Sequence, residues 1–205
     1  MNYQELKKRF LNRKGAILGK YFKAAVLVPL LELGGKSQVL FEFRASHLPV
    51  QPGEISFPGG RVNRGESYRQ AAIRETMEEL GLEREQIEVF GELDYMISPF
   101  NLIIYPFVGW LKNISTLEDI KFSKDEVAEV FTVPLDFLLH QNPEAHSLEI
   151  HPHPAKDFPF YLIQNGENYN WRKGQYPVYF YKYNDYIIWG ITARILHNFL
   201  EIYRK

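Results

Sequence analysis

The 205-residue chain contains no cysteine. Disulfide bridges, thiolate metal sites and cysteine nucleophiles are therefore excluded, and the redox compartment stays open. Long apolar runs are missing too. No stretch approaches the about 18 uninterrupted apolar residues of a membrane helix, and the N-terminal MNYQELKKRF has no apolar centre of the signal-peptide kind, so a cytoplasmic protein with no membrane partner is expected. Nor is there an excess of charge of one sign: Lys+Arg 24 against Asp+Glu 25 gives a net charge of −1, which argues against nucleic acid as a partner. No GxxxxGK[ST] phosphate loop occurs, and Ser56 and Ser98 stand without a histidine and acid framework that would make either a nucleophile. Repeats, linkers and low-complexity tracts are likewise absent.

What is there suits one soluble α/β domain over residues 1–205, with 1–22 as an N-terminal helical extension; 45% hydrophobic residues supply a sizeable core. Residues 2–12 have the pattern of a short amphipathic helix. AAVLVPLLEL and QVLFEFR have that of strands separated by the GGKS turn at 34–37. Further strands are expected at about 87–97, 103–111, 146–151, 159–163 and 177–183, with helices near 134–140 and 190–203. This order suits a sheet sandwiched between helices. His146, His151 and His153 cluster in HSLEIHPHP, but Pro152 and Pro154 break strand regularity, so a polar loop or edge strand is expected there rather than a metal site. The aromatic-rich segment 158–189 is expected to be sheet packing plus an exposed loop.

The chemistry concentrates in GRVNRGESYRQAAIRETMEELGL at 60–82. A helix there, capped near Ser67 and ended by Gly81, places Glu75, Glu78 and Glu79 within an arc of about 100°. Like charges at these spacings oppose the helix, and no lysine lies among them, so a cation is expected. Oxygen ligands without thiolate suit Mg²⁺ or Mn²⁺. Ile73, Thr76, Met77 and Leu80 form the face that docks on the sheet. Gly59, Gly60 and Gly65 let the backbone approach a ligand, so the Gly60 carbonyl is a further candidate metal ligand, and Arg74 is expected to brace Glu75 or Glu66.

These residues resemble the Nudix box: glycine, five residues, Glu, seven residues, Arg-Glu, an apolar residue, any residue, Glu-Glu, any residue, Gly and an apolar residue. Gly60, Glu66, Arg74, Glu75, Glu78, Glu79 and Gly81 occupy its fixed positions, while Thr76 fills an aliphatic one and can bury its methyl. Upstream, LFEFRASHLPVQPGEISFPGG at 40–60 is similar to the signature of the coenzyme A pyrophosphatase branch at Leu40, Arg44, Gly53, Phe57, Pro58, Gly59 and Gly60. It departs at Glu42 (threonine in the signature), Ala45 (serine) and Pro49 (the second arginine). The segments 125–139, 106–109 and 187–196 are also similar to that branch.

The resemblance implies a Nudix fold, a mixed β-sheet between α-helices, compatible with a homodimer. It implies metal-dependent hydrolysis of coenzyme A or acyl-coenzyme A to 4′-phosphopantetheine and adenosine 3′,5′-bisphosphate. The metal set would be Gly60, Glu66, Glu75, Glu78 and Glu79, the catalytic group Glu78, Glu79, Arg74 and Glu126, and the substrate-binding cations Arg44, Arg61 and Arg64. For the general base, Glu79, Glu126 and then Glu129 are candidates. Alternatives are another small nucleoside diphosphate derivative, such as ADP-ribose or NADH, or a Nudix-fold sensor that binds a nucleotide without turnover.

Overall fold

The central strand explains the architecture. The computed structural model describes residues 2–205. After helix α1 (Tyr3–Phe10), capped by Asn2 and burying none of its side chains, comes β1 (Phe22–Leu33). Ala25, Leu27, Val28, Leu30 and Leu31 in β1 are all buried, so neither face meets water, as in an interior strand. Pro29 sits between the segments of β1 that pair antiparallel with residues 59–61 and 36–39, where its missing N–H forfeits no rung on that side.

In chain order follow β2 (Lys36–Arg44), β3 (Ile55–Ser56), β4 (Gly59–Arg61), α2 (Tyr68–Leu80), β5 (Ile87–Glu92), β6 (Met96–Ser98), β7 (Leu102–Leu111), β8 (Val127–Pro134), α3 (Leu135–His140), β9 (Glu144–Ile150), β10 (Gly174–Tyr183), β11 (Tyr186–Trp189) and α4 (Gly190–Arg204). The main sheet runs β3-β2-β1-β7-β5, with β8 beside β2, β4 beside β1 and β6 beside β7. Only β1 and β7 pair in parallel, so the sheet is mixed. A second sheet of order β11-β10-β9 lies beside α4.

Two apolar clusters fill the two sides of the main sheet. Ala25, Leu27, Leu40, Ala71 and Leu80 belong to the α2 side; Val28, Phe41, Phe131, Leu138, Tyr181, Leu196 and Phe199 belong to the side of α3, α4 and the second sheet. A fully buried leucine such as Leu80 contributes about 2 kcal/mol. The sheet sandwiched between helices is thus present. No described helix is long and apolar enough to cross a membrane.

Two sequence expectations change. The strand expected at 159–163 is a short 3-10 turn at Phe160–Leu162, because Pro159 removes a ladder donor at its start. The strand at 87–97 is split into β5 and β6, with a register shift against β7 between Val89 and Gly91. Glu126 immediately precedes β8, a strand not expected from DEVAEVFTVP.

Candidate active site

Helix α2 is fixed at both ends. The Ser67 side chain accepts a hydrogen bond from the Gln70 N–H and the Gln70 side chain accepts one from the Ser67 N–H, a complete capping box, while Gly81 is left-handed at φ 64. Thr76 is fully buried and donates its hydroxyl to the Ala72 carbonyl at 2.7 Å, so the departure from an aliphatic residue leaves no orphan.

The docked helix meets the FPGG segment edge-on. Strand β4 places Gly60 opposite Ala25 of β1, and a Cβ on Gly60 would stand 2.5 Å from the Glu75 carboxyl carbon. That position requires glycine because the acid occupies the side-chain space. One residue earlier, the Gly59 N–H donates to Glu79 Oε2 at 2.7 Å. Glu79 itself is 3% exposed.

The three helix acids lie at different depths. The Glu75 side chain is 15% exposed and that of Glu78 55%, so Glu78 sits at the rim while Glu79 is buried. Arg74 ties the rim together. Its guanidinium grips Glu66 with Nη2 at 2.9 Å and Nε at 3.2 Å, reaches Glu75 at 2.9 Å and Glu78 at 3.0 Å, and donates to the Arg61 carbonyl at 3.0 Å. The bracing expected of Arg74 is present and extends to Glu78 as well.

The electrostatics sort these groups. Hydrogen bonds from Arg74, and then from the Asn63 N–H, hold Glu66 below the usual carboxylate range. Burial is the first cause that raises Glu75, with Glu78 and Glu126 adding like charge and Arg74 opposing. Glu79 is pushed up to about 9 by burial and by the charge of Glu42, with Glu75 and Glu126 adding to it.

Glu42 was missed as a site residue. It is 1% exposed and pushed up to about 7, chiefly by burial, although Ser56 donates to its Oε1 at 2.9 Å. The available signal was an acid inside the apolar strand QVLFEFR, on the same face as Leu40. Lys23 and Tyr68 were missed too. They line a cleft of about 510 Å³ with Arg61, Arg64, Asn63 and Glu66, in which Lys23 Nζ donates to the Tyr68 hydroxyl at 3.0 Å.

Of the three arginines expected to bind substrate, Arg61 and Arg64 share that cleft. Arg44 is absent from its lining and lies on β2 near Glu42, its Nε directed to the Val50 carbonyl at 3.5 Å. Exposed Glu126 stands close enough for its charge to act on Glu42, Glu75 and Glu79. Glu129 faces away: it pairs with Phe43 across the ladder and accepts the Tyr186 hydroxyl at 3.1 Å, on the α4 side of the sheet. Glu129 is thereby removed as a candidate base for this cluster. His146 and His151 lie along or just past exposed β9 beside Glu144 and Glu149, without converging. A more capacious cleft of about 800 Å³, lined by Lys36, Pro134, Phe137, His140 and Tyr203, contains none of the cluster acids.

Among the described residues, no three acid or imidazole groups form a ready-made ion cage. Arg74 accounts for this, since it draws Glu66, Glu75 and Glu78 onto itself. The donor set still fits Mg²⁺ or Mn²⁺. All its groups are hard oxygens, one buried oxygen, Glu42 Oε2, has no hydrogen-bond partner, and Mg²⁺ normally shares its coordination with waters and substrate phosphates rather than an all-protein cage.

Residues 21–154 match the NUDIX domain family. The chain is 40% identical over 119 residues to a peroxisomal coenzyme A diphosphatase of Mus musculus, covering 58% of this chain and 49% of that protein. It is 32% identical over 180 residues to the Nudix hydrolase NudL of Photorhabdus laumondii, covering 87% and 83%. A MutT/nudix family protein from Enterococcus faecalis superposes with a TM-score of 0.51 at 17% identity over 100% of this chain and 71% of its own, a likeness of fold alone. The chain spans about half the length of the curated relatives it matches at 40% identity.

Proposed function

This chain belongs to the NUDIX domain family, and we propose that it is a divalent-metal-dependent diphosphatase whose substrate is coenzyme A or an acyl derivative. The observation that carries the proposal is the pairing of an acid cluster, buried Glu42 and Glu79 with half-buried Glu75, with a cleft lined by Lys23, Arg61 and Arg64 that adjoins it through Glu66. Carboxylates deep in a site with no cation bonded to Glu42 or Glu79 suit an ion, and three basic side chains suit the phosphates that accompany it. The 40% identity to a mouse protein described as a coenzyme A diphosphatase, with the signature at 40–60, supports this substrate over other diphosphates.

In this reading Glu75 and Glu79, with Glu66, Glu78 and the Gly60 carbonyl, would hold the ion. Bound Mg²⁺ or Mn²⁺ supplies charge neutralisation at the diphosphate and makes nearby water more acidic. Lys23, Arg61 and Arg64 orient the phosphates. Arg74 offsets the mutual repulsion of Glu66, Glu75 and Glu78 and fixes their positions. A water oxygen attacks one phosphorus as the P–O–P bond breaks, and Glu126, exposed at the edge of the cluster, takes the proton of that water. Pro49 in place of an arginine removes one cation, which favours ADP-ribose or NADH as the second reading.

Chromatographic product analysis tests the reading, with purified protein, Mg²⁺ or Mn²⁺, and separately coenzyme A, dephospho-coenzyme A, ADP-ribose and NADH. The expected result is cleavage of coenzyme A to 4′-phosphopantetheine and adenosine 3′,5′-bisphosphate, at least tenfold faster than of the dephospho form. Preference for ADP-ribose or NADH refutes the substrate. Nucleotide binding with no hydrolysis of any of them refutes the enzyme and leaves a sensor.

A further inference from the structure

Glu42 stands where an acid is least expected, mid-strand in β2 between Phe41 and Phe43 and 1% exposed. Strand alternation sets its direction. Phe41 and Phe43 pack on the α4 side, so Leu40 and Glu42 face α2, as does Val130, the partner of Glu42 on β8. The ladder also pairs Glu42 with Ser56 of β3, and Ser56 Oγ donates to Oε1 at 2.9 Å. Three residues after Ser56, the Gly59 N–H donates to Glu79. One short segment therefore anchors both acids, one from the sheet and one from the helix.

That leaves Oε2 of Glu42, which is buried with no hydrogen-bond partner. Arg44, the cation whose charge acts on Glu42, directs its Nε to the Val50 carbonyl instead. An orphaned carboxylate oxygen costs the fold on the order of 1–3 kcal/mol or more. A residue serving only as partner to Ser56 would not need the second oxygen. Threonine, which the coenzyme A pyrophosphatase signature has here, supplies one hydroxyl and cannot reach as far from the sheet.

We propose that Glu42 is an additional carboxylate ligand of the divalent cation, reaching from strand β2 so that the ion beside Glu75 and Glu79 is gripped from the sheet as well as from helix α2. The inference rests on the metal-dependent reading above. Ser56 holds Oε1 in place, which leaves the unpartnered Oε2 to bind the ion.

The test is a titration of the full chain with Mn²⁺ alone, without substrate, followed by calorimetry and by the electron paramagnetic resonance signal of free Mn²⁺. Wild type, Glu42→Gln, Glu42→Thr and Glu79→Gln are compared, with circular dichroism in EDTA to establish folding. Glu42→Gln keeps an acceptor for Ser56 and removes the charge; threonine is the second variant should glutamine fail to fold. The expected result is Mn²⁺ affinity at least tenfold weaker, or one ion fewer per chain, in a folded Glu42 variant. Wild-type affinity and stoichiometry in such a variant, with binding weakened only in Glu79→Gln, overturns the inference and leaves the metal reading intact. A folded wild type that binds no Mn²⁺ overturns both. Mn²⁺ binding that depends on Glu42, without coenzyme A cleavage, supports the inference and refutes only the substrate.

Discussion

Replacing Glu79 by glutamine is expected to stabilise the metal-free protein and abolish its activity. The amide oxygen can still accept the Gly59 N–H now bonded at 2.7 Å, so the change removes charge at nearly constant shape. Burial and the neighbouring acids raise the folded-state pKa of Glu79 from 4.5 to about 9. A raised carboxyl pKa gives stability that is fully present below the unfolded value and lost as pH climbs toward the folded one. At about pH 7.5, some three pH units above the unfolded value, the cost approaches ~4 kcal/mol at about 1.4 kcal/mol per unit. Burying the amide instead still has a desolvation cost, so a net gain of about 2 kcal/mol is the working figure, or ~4–8 °C in Tm for a chain of this size. Thermal unfolding in EDTA from about pH 5 to pH 8.5 measures it. The variant should fall below wild type at the acid end, where only the desolvation cost of the amide remains, and overtake it toward the alkaline end. Saturating Mg²⁺ reverses the order, since an ion at a hundred times its Kd adds about 2.7 kcal/mol to wild type. A variant no more stable than wild type at about pH 7.5 in EDTA, or a gap that does not change with pH, refutes the assignment of Glu79 as an uncompensated buried acid.

Gly60→Ala forces a Cβ within 2.5 Å of the Glu75 carboxyl carbon and should displace that acid, lowering kcat at least tenfold while stability falls by only about 1 kcal/mol. Full activity at unchanged Mg²⁺ dependence would show that Glu75 is not held in place by β4. Glu126→Gln should lower kcat by about a hundredfold or more, whereas Glu129→Gln, turned toward Tyr186 on the other side of the sheet, should stay within about twofold of wild type. The reverse ranking would overturn the placement of the base.

How much of this was legible follows from how local each signal is. The limits of α2 were written in Ser67, Gln70 and Gly81, because caps are satisfied within a few residues. The brace from Arg74 to Glu66 and Glu75 was legible for the same reason. Glu42 was not, because its meaning depends on β2 turning it to the α2 side of the sheet and on the Ser56 partner supplied by β3, a pairing that no periodicity encodes. The 3-10 turn after Pro159 was lost to an apolar run that looks like a strand until the missing donor is counted. Glu129 and Glu126 look interchangeable in DEVAEV, yet the register against Phe43 and Arg44 sends them to different surroundings.

The grading of the helix acids follows from the face by which α2 docks, which lies nearer Glu79 than the face expected from Ile73, Thr76, Met77 and Leu80. At about 100° per residue, with Glu75 at zero, Glu79 lies near +40° and Glu78 near −60°, while Ala72, Thr76 and Leu80, which the structure buries, centre near +100°. Distance from that centre then orders exposure as Glu79, Glu75, Glu78, which is the observed sequence of 3%, 15% and 55%. Arg74 falls near −100°, only about 40° beyond Glu78, so its reach to Glu78 follows from the same wheel. Treating the three acids as one equivalent patch concealed a division of labour. The deepest acid is tied to the backbone of the glycine segment and bears most of the desolvation, whereas the outer acid sits in water with the arginine. Metal affinity is therefore expected to depend most steeply on Glu79, the residue whose charge is most costly to the empty fold.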